Sequence, residues 1–346
     1  MNRRQALALG GSAVVAPALI GGRAFAQAAA VEIGTFAGGN FDIVRDVAVP
    51  AFKKENPGAT INVVMRTAAD HYPKLLVTRD KPREAGGMWN DTFSALGSKA
   101  GLFAPFDPAL VPEQKRLNQD LQPKNGLGIA VAVQPYGIAY NPKYVEKPKS
   151  WFDLFNPKYA GRVGMHYNFW DQYVALAYAL GKDERSIDAA IDEWAKHKAN
   201  IGSWTTNFTT LQEQIDKGDI WLGPNWGGFT TAAQRAGASI AFAWPEEGAT
   251  QQTIIAHVNA NVDPAVNKVA QSFLNTWLTT DFQEAYLNRM SLSPSNPNAV
   301  ISPEMAALEG VVTPERLRTR RLIQYDYALV GNNLADIRKR IEERLR

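Results

Sequence analysis

Strand-like and helix-like patterns of apolar residues alternate along most of the chain from residue 31 onward. Short apolar runs typical of strands occur at residues 31–36, 60–65, 86–91, 128–133, 136–140, 161–167, 219–222 and 238–244. Between the first two runs, Phe41, Val44, Ala48 and Phe52 follow helical spacing, and Asn56-Pro57-Gly58 predicts the end of that helix. This alternation predicts an α/β fold with helices on both faces of the sheet.

Helical patterns continue through the second half of the chain. Residues 171–180 are apolar on nearly all sides, as expected of a buried helix, and Gly181 predicts its end. Further helices are predicted near residues 187–194, 211–215, 229–235, 263–279 and 332–346. In α/β folds, ligands bind at the carboxyl ends of strands and at helix N-termini, so we expect the site residues there.

The first 26 residues have the features of an export signal. An uncharged run rich in Ala, Leu, Gly and Val follows Arg3-Arg4, and Ala24-Phe25-Ala26 forms a small-x-small cleavage site. The paired arginines favour the twin-arginine route, and the glycines interrupt a run shorter than the roughly 20 apolar residues of a membrane span. We predict a signal peptide at residues 1–26, cleavage near Ala26 and a periplasmic protein.

Charge and composition exclude several classes of partner. The chain has 37 Lys and Arg against 34 Asp and Glu, but Arg3, Arg4 and Arg23 lie in the leader, so the mature chain has 34 of each. Its body contains no long basic run, which argues against nucleic-acid binding. It has no cysteine, and no apolar run of membrane-spanning length follows the leader. A chain of this length with 45% hydrophobic residues suits two lobes.

The sequence lacks the common catalytic motifs. Its four histidines, His71, His166, His197 and His257, form no His-x-x-x-His pair, and it contains neither a G-x-S-x-G elbow nor a phosphate-binding glycine loop. We therefore predict a protein without catalytic activity, cofactor or metal. Because carboxylate pairs for catalysis can come from distant segments, a periplasmic hydrolase or lyase is kept as an alternative.

Aromatic residues recur where the predicted strands end. Phe36 precedes a glycine-rich turn, Trp89 precedes Asn90-Asp91, Phe169-Trp170 follows the run at 161–167, and Trp226 is followed by two glycines. Aromatic faces can bind apolar or cationic groups, and glycine-rich helix starts expose backbone N–H groups. Four such junctions in both halves of the chain predict a ligand cleft between two lobes.

Several segments resemble one family of proteins. Trp226-Gly-Gly-Phe, followed by the run from Gln234 to Trp244-Pro-Glu-Glu-Gly248, resembles the extracellular solute-binding proteins of ABC importers, in particular their spermidine/putrescine-binding branch. Residues 141–144, 151–162 and 294–297 fit the same order of motifs. The resemblance implies a type II periplasmic-binding-protein fold, in which two α/β lobes joined by crossover strands close on a small solute and dock on a membrane permease.

The resemblance also implies how the chain is divided. The first lobe is expected at residues 31–136 plus 260–300, and the second lobe at residues 137–259. Residues 301–346 are expected to form a C-terminal helical segment that packs on the lobes. The mature protein is expected to be a monomer, with a small-molecule solute and an importer permease in the inner membrane as its partners.

The same resemblance places the ligand contacts. Trp226 matches a ligand-stacking tryptophan of the polyamine binders, and Asn168 and Asp171 stand where that branch has two acids gripping an amine. Where the branch has Trp-x-Asp, this chain has Gln252-Thr-Ile, so the main acid and its aromatic neighbour are lost. The contacts expected here are Phe36, Trp89, Asn90, Asp91, Asn168, Asp171, Trp226 and Gln252.

We expect these residues to divide into three roles. Phe36, Trp89 and Trp226 would form an aromatic clamp. Asp171, with Asp91 as a second acid, would pair with a cationic nitrogen, because an unpaired buried ammonium is costly. Amides at Asn90, Asn168 and Gln252 would supply hydrogen bonds.

Alternatives to an amine site stay open at this point. Asp171 is equally suited to capping the helix that follows it. An anionic solute, such as a phosphonate or carboxylate, would use Arg66 and the helix starts at Gly38-Gly39 and Gly227-Gly228. The adjacent tyrosines typical of the ferric-iron branch are missing, since Tyr325 and Tyr327 are two residues apart, which argues against iron.

Overall fold

The computed structural model describes residues 30–167 and 169–345. The predicted signal peptide and the predicted contact Asn168 therefore lie outside the described residues. Within those residues, no helix has the length and apolar character needed to cross a membrane.

Twelve strands and fourteen α-helices are described. The strands are β1 Val31–Thr35, β2 Ile61–Met65, β3 Gly86–Trp89, β4 Phe103–Ala104, β5 Ile129–Tyr140, β6 Val163–His166, β7 Ile201–Thr205, β8 Leu222–Trp226, β9 Ala241–Ala243, β10 Ala249–Asn259, β11 Ser293–Pro294 and β12 Leu322–Ile323. The helices are α1 Gly39–Ile43, α2 Val49–Glu55, α3 Ala68–Val77, α4 Asp91–Lys99, α5 Asp171–Ala179, α6 Ile187–Lys196, α7 Phe208–Lys217, α8 Gly227–Arg235, α9 Pro264–Asn275, α10 Thr280–Met290, α11 Pro303–Ala307, α12 Pro314–Thr319, α13 Tyr327–Asn332 and α14 Leu334–Leu345. A π-helical turn, Val44–Ala48, joins α1 to α2.

The main sheet consists of two parallel halves joined by two long central strands. Its order is β2-β1-β3-β10-β5-β8-β6-β7. Strands β1, β2 and β3 run parallel on one side, and β6, β7 and β8 run parallel on the other. Between them, β10 and β5 are antiparallel to each other and to their outer neighbours β3 and β8. Within the main sheet, β5 and β10 therefore join the two parallel halves.

The long strand β5 differs from the sequence prediction of two strands separated by Gln134-Pro135. Proline removes a ladder hydrogen bond and is usually confined to edges or irregular positions. Here β10 pairs along one side of β5, and on the other side the partner changes from β11 at Val133 to β8 at Tyr136. Pro135 falls in that gap between partners, so the strand continues through it.

Two large hydrophobic clusters lie at opposite ends of the central strands. One cluster joins β1, the helices α1, α2, α9 and α10, and the early residues Ile129, Val131 and Ala132 of β5. The other joins α5, α6 and the later residues Tyr136, Ile138 and Tyr140 of the same strand. A single strand thus contributes to both clusters, and few other elements do.

The C-terminal segment, residues 322–345, packs on both sides of the molecule. Strand β12 pairs with β10, and α13 packs on α4, where Gly331 approaches Thr92 and Leu96. Helix α14 packs on α6, and its residues Ile337 and Ile341 are buried in the cluster that contains Tyr136. The segment therefore connects elements that belong to different clusters.

Most element positions follow the sequence patterns, with shifts at their ends. The strand expected at 219–222 instead begins at Leu222 and runs to Trp226, because Gly218 ends α7 in a left-handed conformation (φ 82°) and the chain must first leave that turn. The helix expected over 263–279 ends at Asn275 and continues as a 3₁₀ turn, Thr276–Leu278. Asp263 caps it as expected, with its carboxylate accepting from the amides of Ala265 and Val266.

Candidate functional site

Two buried carboxylates are hydrogen-bonded to neighbouring residues in the middle of β10. Asp91 is the first residue of α4 and Asp171 the first residue of α5. The Thr253 amide donates to Asp91 Oδ2 at 2.6 Å, and the neighbouring Gln252 side chain donates from Nε2 to Asp171 Oδ1 at 2.7 Å. Asp91 is 6% exposed and Asp171 is 1% exposed. Acids from the two halves of the sheet are thus held by consecutive residues of one central strand.

Both carboxyl groups have raised pKa values. Burial raises the pKa of Asp171 to about 7, against the lowering effect of the Tyr325, Thr250 and Gln252 side chains. Of these, Tyr325 and Gln252 form hydrogen bonds to Asp171, whereas the buried Thr250 hydroxyl forms none among the described residues. Burial also raises the pKa of Asp91 to about 7, and the nearby charge of Asp171 adds to that rise. A buried acid with such a pKa lacks a cationic partner, which makes the pair a place where a cation would be stabilised.

One oxygen of Asp171 is left without a partner. The Tyr325 hydroxyl donates to Oδ1 at 2.9 Å and itself accepts from Trp170 Nε1 at 3.2 Å. Oδ2 is buried and has no hydrogen-bond partner among the described residues. The helix start is capped by Trp170 without a side-chain bond, so the alternative that Asp171 caps α5 is wrong.

Aromatic rings surround Trp226 at the end of β8. Its ring stacks on Phe208 at 4.1 Å between centroids and meets Phe169 edge-on at 4.8 Å. Tyr136, its cross-strand partner on β5, lies 6.5 Å away by ring centroids. Within the described part of the chain, the buried Tyr136 hydroxyl and Trp226 Nε1 have no hydrogen-bond partner.

The unpartnered Tyr136 hydroxyl links this aromatic group to the carboxylates. Burial raises the pKa of Tyr136 well above its usual value, and the Asp171 charge adds to the rise. In the antiparallel ladder between β5 and β10, Tyr136 is paired with Thr250, which is two residues before Gln252. Trp226, Tyr136 and Asp171 are therefore parts of one site.

Trp89 is not part of an open clamp, which corrects the sequence expectation. It is 0% exposed and lies against His71 and Phe103, with ring centroids 5.3 and 5.1 Å away. The Arg66 guanidinium covers its ring at 4.8 Å. Strand β3 is buried along its whole length, so its last side chain packs in the core instead of the cleft.

The other predicted contacts have mixed surroundings. Phe36 is partly buried and packs against the clusters of Ile33 and of Trp89. Asn90 caps α4, because its Oδ1 accepts from the Phe93 amide at 3.1 Å. The Gln252 amide is engaged by Asp171. The predicted cation-binding role of Asp171 and the stacking role of Trp226 stay compatible with the geometry, and Asn168 is outside the described residues.

A cavity of about 560 Å³ lies beside the carboxylate pair, between α4 and the C-terminal segment. Of the predicted contacts in the described part of the chain, Asp91 alone lines it, together with Ser94, Gln251, Thr253, Tyr325 and Tyr327. Its volume is in the range of small-molecule sites. The cavity is therefore lined by Asp91 and Tyr325 but by none of the rings around Trp226.

Three members of the site were missed by the sequence analysis: Tyr136, Phe208 and Tyr325. Tyr136 and Phe208 lie in patterns that also fit an ordinary strand and an ordinary amphipathic helix. Tyr325 contacts Asp171 across 154 positions in sequence, and its neighbourhood has no motif. The Tyr-x-Tyr pair formed by Tyr325 and Tyr327 is a signal that could have indicated it.

Comparison with known proteins identifies the family. Residues 85–308, more than half of the chain, match the model of the bacterial extracellular solute-binding proteins. The chain belongs to this family.

The curated relative and solved structures agree with that assignment. The chain is 24% identical over 223 residues to the spermidine/putrescine-binding periplasmic protein 1 of Haemophilus influenzae, and the match spans 60% of each protein. An ABC transporter structure from Clostridium perfringens superposes with a TM-score of 0.77 at 19% identity, covering 91% of this chain and 100% of that one. The spermidine/putrescine substrate-binding protein PotD of Streptococcus pneumoniae gives 0.72 at 15% identity, covering 92% and 100%. The expected fold, a two-lobed type II periplasmic-binding-protein fold with crossover strands, is confirmed.

Proposed function

We propose that this protein is a periplasmic receptor of an ABC importer that captures a small amine-bearing solute between its lobes and delivers it to a membrane permease. The observation that carries the proposal is the buried oxygen of Asp171 that has no hydrogen-bond partner among the described residues. The charge of Asp171 acts on Tyr136, which is the cross-strand partner of Trp226. A carboxylate oxygen next to aromatic faces suits an ammonium carried on an apolar chain. The printed name of the curated relative, a spermidine/putrescine binder, supports the same class of ligand.

The arrangement of the clusters supports the division into lobes. The first lobe would comprise residues 31–136 plus 260–300 and the second residues 137–259, with β5 and β10 as the crossover strands. Each of the two large clusters draws mainly on one of these ranges. Because Asp91 and Asp171 come from different lobes, a solute that contacts both would favour the closed arrangement.

The charge balance of the site supports an amine with few cationic groups. Two buried acids with a pKa of about 7 resist full ionisation, and an ammonium would pair with the charge they carry. No third acid of the polyamine pattern follows Gly248, where Gln252 donates to Asp171 instead. One ammonium is therefore satisfied more easily than two at opposite ends of a long ligand.

An anionic solute is less well supported, because Arg66 is paired with a buried acid and the helix start at Gly227-Gly228 is packed, although the buried Arg66 Nη2 has no hydrogen-bond partner in the described part of the chain. Arg66 is bonded to Glu84 Oε2 at 2.7 Å and to the Met88 carbonyl at 2.8 Å. The Gly228 amide donates to Gln134 Oε1 at 3.0 Å, and a side chain at Gly227 would collide with Pro135 and Gly310. Gly227 and Gly228 therefore allow the start of α8 to pack closely against its neighbours.

A hydrolase or lyase is also less well supported. The Ser94 hydroxyl lies 2.7 Å from His257 Nε2, but His257 Nδ1 has no hydrogen-bond partner in the described part of the chain. Burial lowers the pKa of His257 to about 3, so it is a poor proton acceptor for Ser94. The family and its structural relatives are solute-binding proteins, which favours a receptor that returns its ligand unchanged.

A thermal-shift screen tests the proposal. The mature chain would be screened with polyamines, monoamines, betaines, phosphonates and dicarboxylates, in wild type and in Asp171→Asn. A ligand at 100 times its Kd adds about 2.7 kcal/mol to the free energy of unfolding, which raises Tm by a few degrees. We expect shifts with amines that Asp171→Asn reduces.

The matched control is Asp192→Asn, which changes an exposed acid paired with Arg344 at 2.7 Å and should keep the amine shift. Shifts confined to anions would overturn the proposed ligand class. Chemical conversion of a solute during the incubation, followed by product analysis, would overturn the receptor role.

A further inference from the structure

Tyr325 reaches the carboxylate pair from the C-terminal segment. It lies between β12 and α13, is 7% exposed, and donates its hydroxyl hydrogen to Asp171 Oδ1 at 2.9 Å. Trp170 Nε1 donates to the same hydroxyl at 3.2 Å. Burial, reinforced by the Asp171 charge, raises the pKa of Tyr325 well above its usual value, so the hydroxyl stays protonated and remains a donor.

The two donors on Asp171 act on the same oxygen. Gln252 Nε2 and the Tyr325 hydroxyl both donate to Oδ1, at 2.7 and 2.9 Å. Two donors on one oxygen restrain the orientation of the carboxylate. The oxygen that is left without a partner among residues 30–167 and 169–345 is then Oδ2. Hydrogen bonds to a carboxylate also favour its ionised form.

We propose that Tyr325 is a positioning residue of the solute site, which favours the ionised form of Asp171 and orients its carboxylate so that Oδ2 faces the ammonium of the ligand. This inference rests on the proposed function, because it assigns to Asp171 the amine of the solute. If Tyr325 has this role, the C-terminal segment contributes a residue to the solute site although it lies outside both proposed lobes.

The surroundings of Tyr325 keep its hydroxyl in place. The Tyr327 ring lies 4.0 Å from that of Tyr325 by centroids, and the Tyr327 hydroxyl donates to the Gln251 carbonyl at 2.8 Å. The amide of Asp326, between the two tyrosines, donates to Glu184 Oε1 at 3.2 Å. The C-terminal segment is therefore hydrogen-bonded to Gln251 of β10 and to Glu184, close to the contact between Tyr325 and Asp171.

Several titratable groups influence Asp171 besides Tyr325. Asp91 faces it from α4, Tyr136 from β5 and Tyr327 from the C-terminal segment. The tyrosines stay neutral near pH 7, because burial raises the pKa of each. A pH effect near neutrality therefore comes from Asp171 and Asp91.

The test compares Tyr325→Phe with Tyr327→Phe in the full chain. Both variants keep the ring and remove one hydroxyl from the same segment, but only the first removes a donor to Asp171. Carbon-13 NMR of labelled aspartate carboxyls, assigned with Asp171→Asn, would follow the titration of Asp171 without ligand. We expect Tyr325→Phe to raise the pKa of Asp171 by about one unit, as loss of a hydrogen bond to a charged group implies. Tyr327→Phe should leave it within a few tenths of a unit.

Binding of 1,4-diaminobutane and butylamine then shows whether the positioning matters for the solute. We expect Tyr325→Phe to weaken binding about tenfold at pH 7 and less at pH 9, where the carboxylate is ionised again. A purely structural role would produce a loss that does not depend on pH. Trp170→Phe, which removes the other bond of Tyr325, should give a smaller change in the same direction.

The results of these experiments distinguish a failure of the role assigned to Tyr325 from a failure of the proposed function. Binding of amines by wild type, with the same Asp171 titration and the same affinity in both tyrosine variants, would overturn the role of Tyr325 and leave the receptor intact. No binding of any amine by wild type would overturn the proposed ligand and the positioning role with it. An unchanged Asp171 titration in Tyr325→Phe overturns the inference whatever the ligand result.

Discussion

At the residue scale, Trp89 and Trp226 share a sequence context but not an environment. Each ends a strand and precedes a helix, at Asp91 and at Gly227 respectively. Trp89 is fully buried under Arg66 and packs on Phe103, whereas Trp226 is partly exposed within a ring group at the end of β8. Sequence spacing alone cannot separate these cases, because a strand end gives a direction only when the neighbouring strands are known.

Alanine substitution of these two tryptophans should therefore have opposite consequences. Trp89→Ala removes a buried ring and should lower the free energy of unfolding by about 3–5 kcal/mol. Trp226→Ala should lower stability much less but weaken amine binding, because it removes a ring face from the site. Urea unfolding and calorimetric titration on both variants check this. A larger stability loss in Trp226→Ala than in Trp89→Ala would make Trp226 the core residue.

At the scale of elements, the sequence predicts those helices and strands whose signals are local, whereas the central strand β10 and the helix α4, which carries Asp91, were not predicted. Asp263-Pro264 begins α9 through a cap that is present, and Gly218 ends α7 in the left-handed conformation. The prediction of two separate strands around Pro135 was wrong, and its cause is not local. Whether a strand continues through a proline depends on which neighbours pair with it, and here the partners β8 and β11 come from distant parts of the chain.

Helix α14 provides a prediction at this scale. Its Ile341 is 2% exposed in the cluster with Tyr136, while Arg344 forms an exposed ion pair with Asp192. Ile341→Ala should lower the free energy of unfolding by about 2–5 kcal/mol, and Arg344→Ala by less than about 1 kcal/mol. Urea unfolding measures both. Equal, small effects would mean that α14 is only loosely attached to the rest of the protein.

At the scale of the whole molecule, the site depends on contacts that no local pattern encodes. Asp171 was predicted as a candidate from the family resemblance. Its partners Gln252 and Tyr325 lie 81 and 154 positions away, and Asp91 reaches Thr253 across 162. The family resemblance indicated the fold and the neighbourhood of the ligand, but the C-terminal segment entered the site only through the tertiary structure.

The carboxylate pair should make the stability of the ligand-free protein fall as pH rises. In the unfolded chain each acid loses its proton near its ordinary pKa of 3.8, whereas in the folded protein it keeps the proton up to about pH 7. Between these values the folded state binds more protons, so the free energy of unfolding decreases as pH rises and levels off above about 7. From pH 5.5 to 8, each carboxylate should account for a loss on the order of 2 kcal/mol.

Asp91→Asn and Asp171→Asn should each reduce the decrease in the free energy of unfolding between pH 5.5 and 8 by the contribution of one carboxylate, since an amide carries no charge to bury. Urea unfolding at pH 5.5 and pH 8 measures the difference, and the exposed Asp192→Asn serves as the control. An amine that binds the ionised pair should restore stability at pH 8 more than at pH 5.5, because it supplies the missing positive charge. If wild type and both variants lose stability in parallel, the two acids do not share the buried, unpaired environment on which the proposed amine site depends.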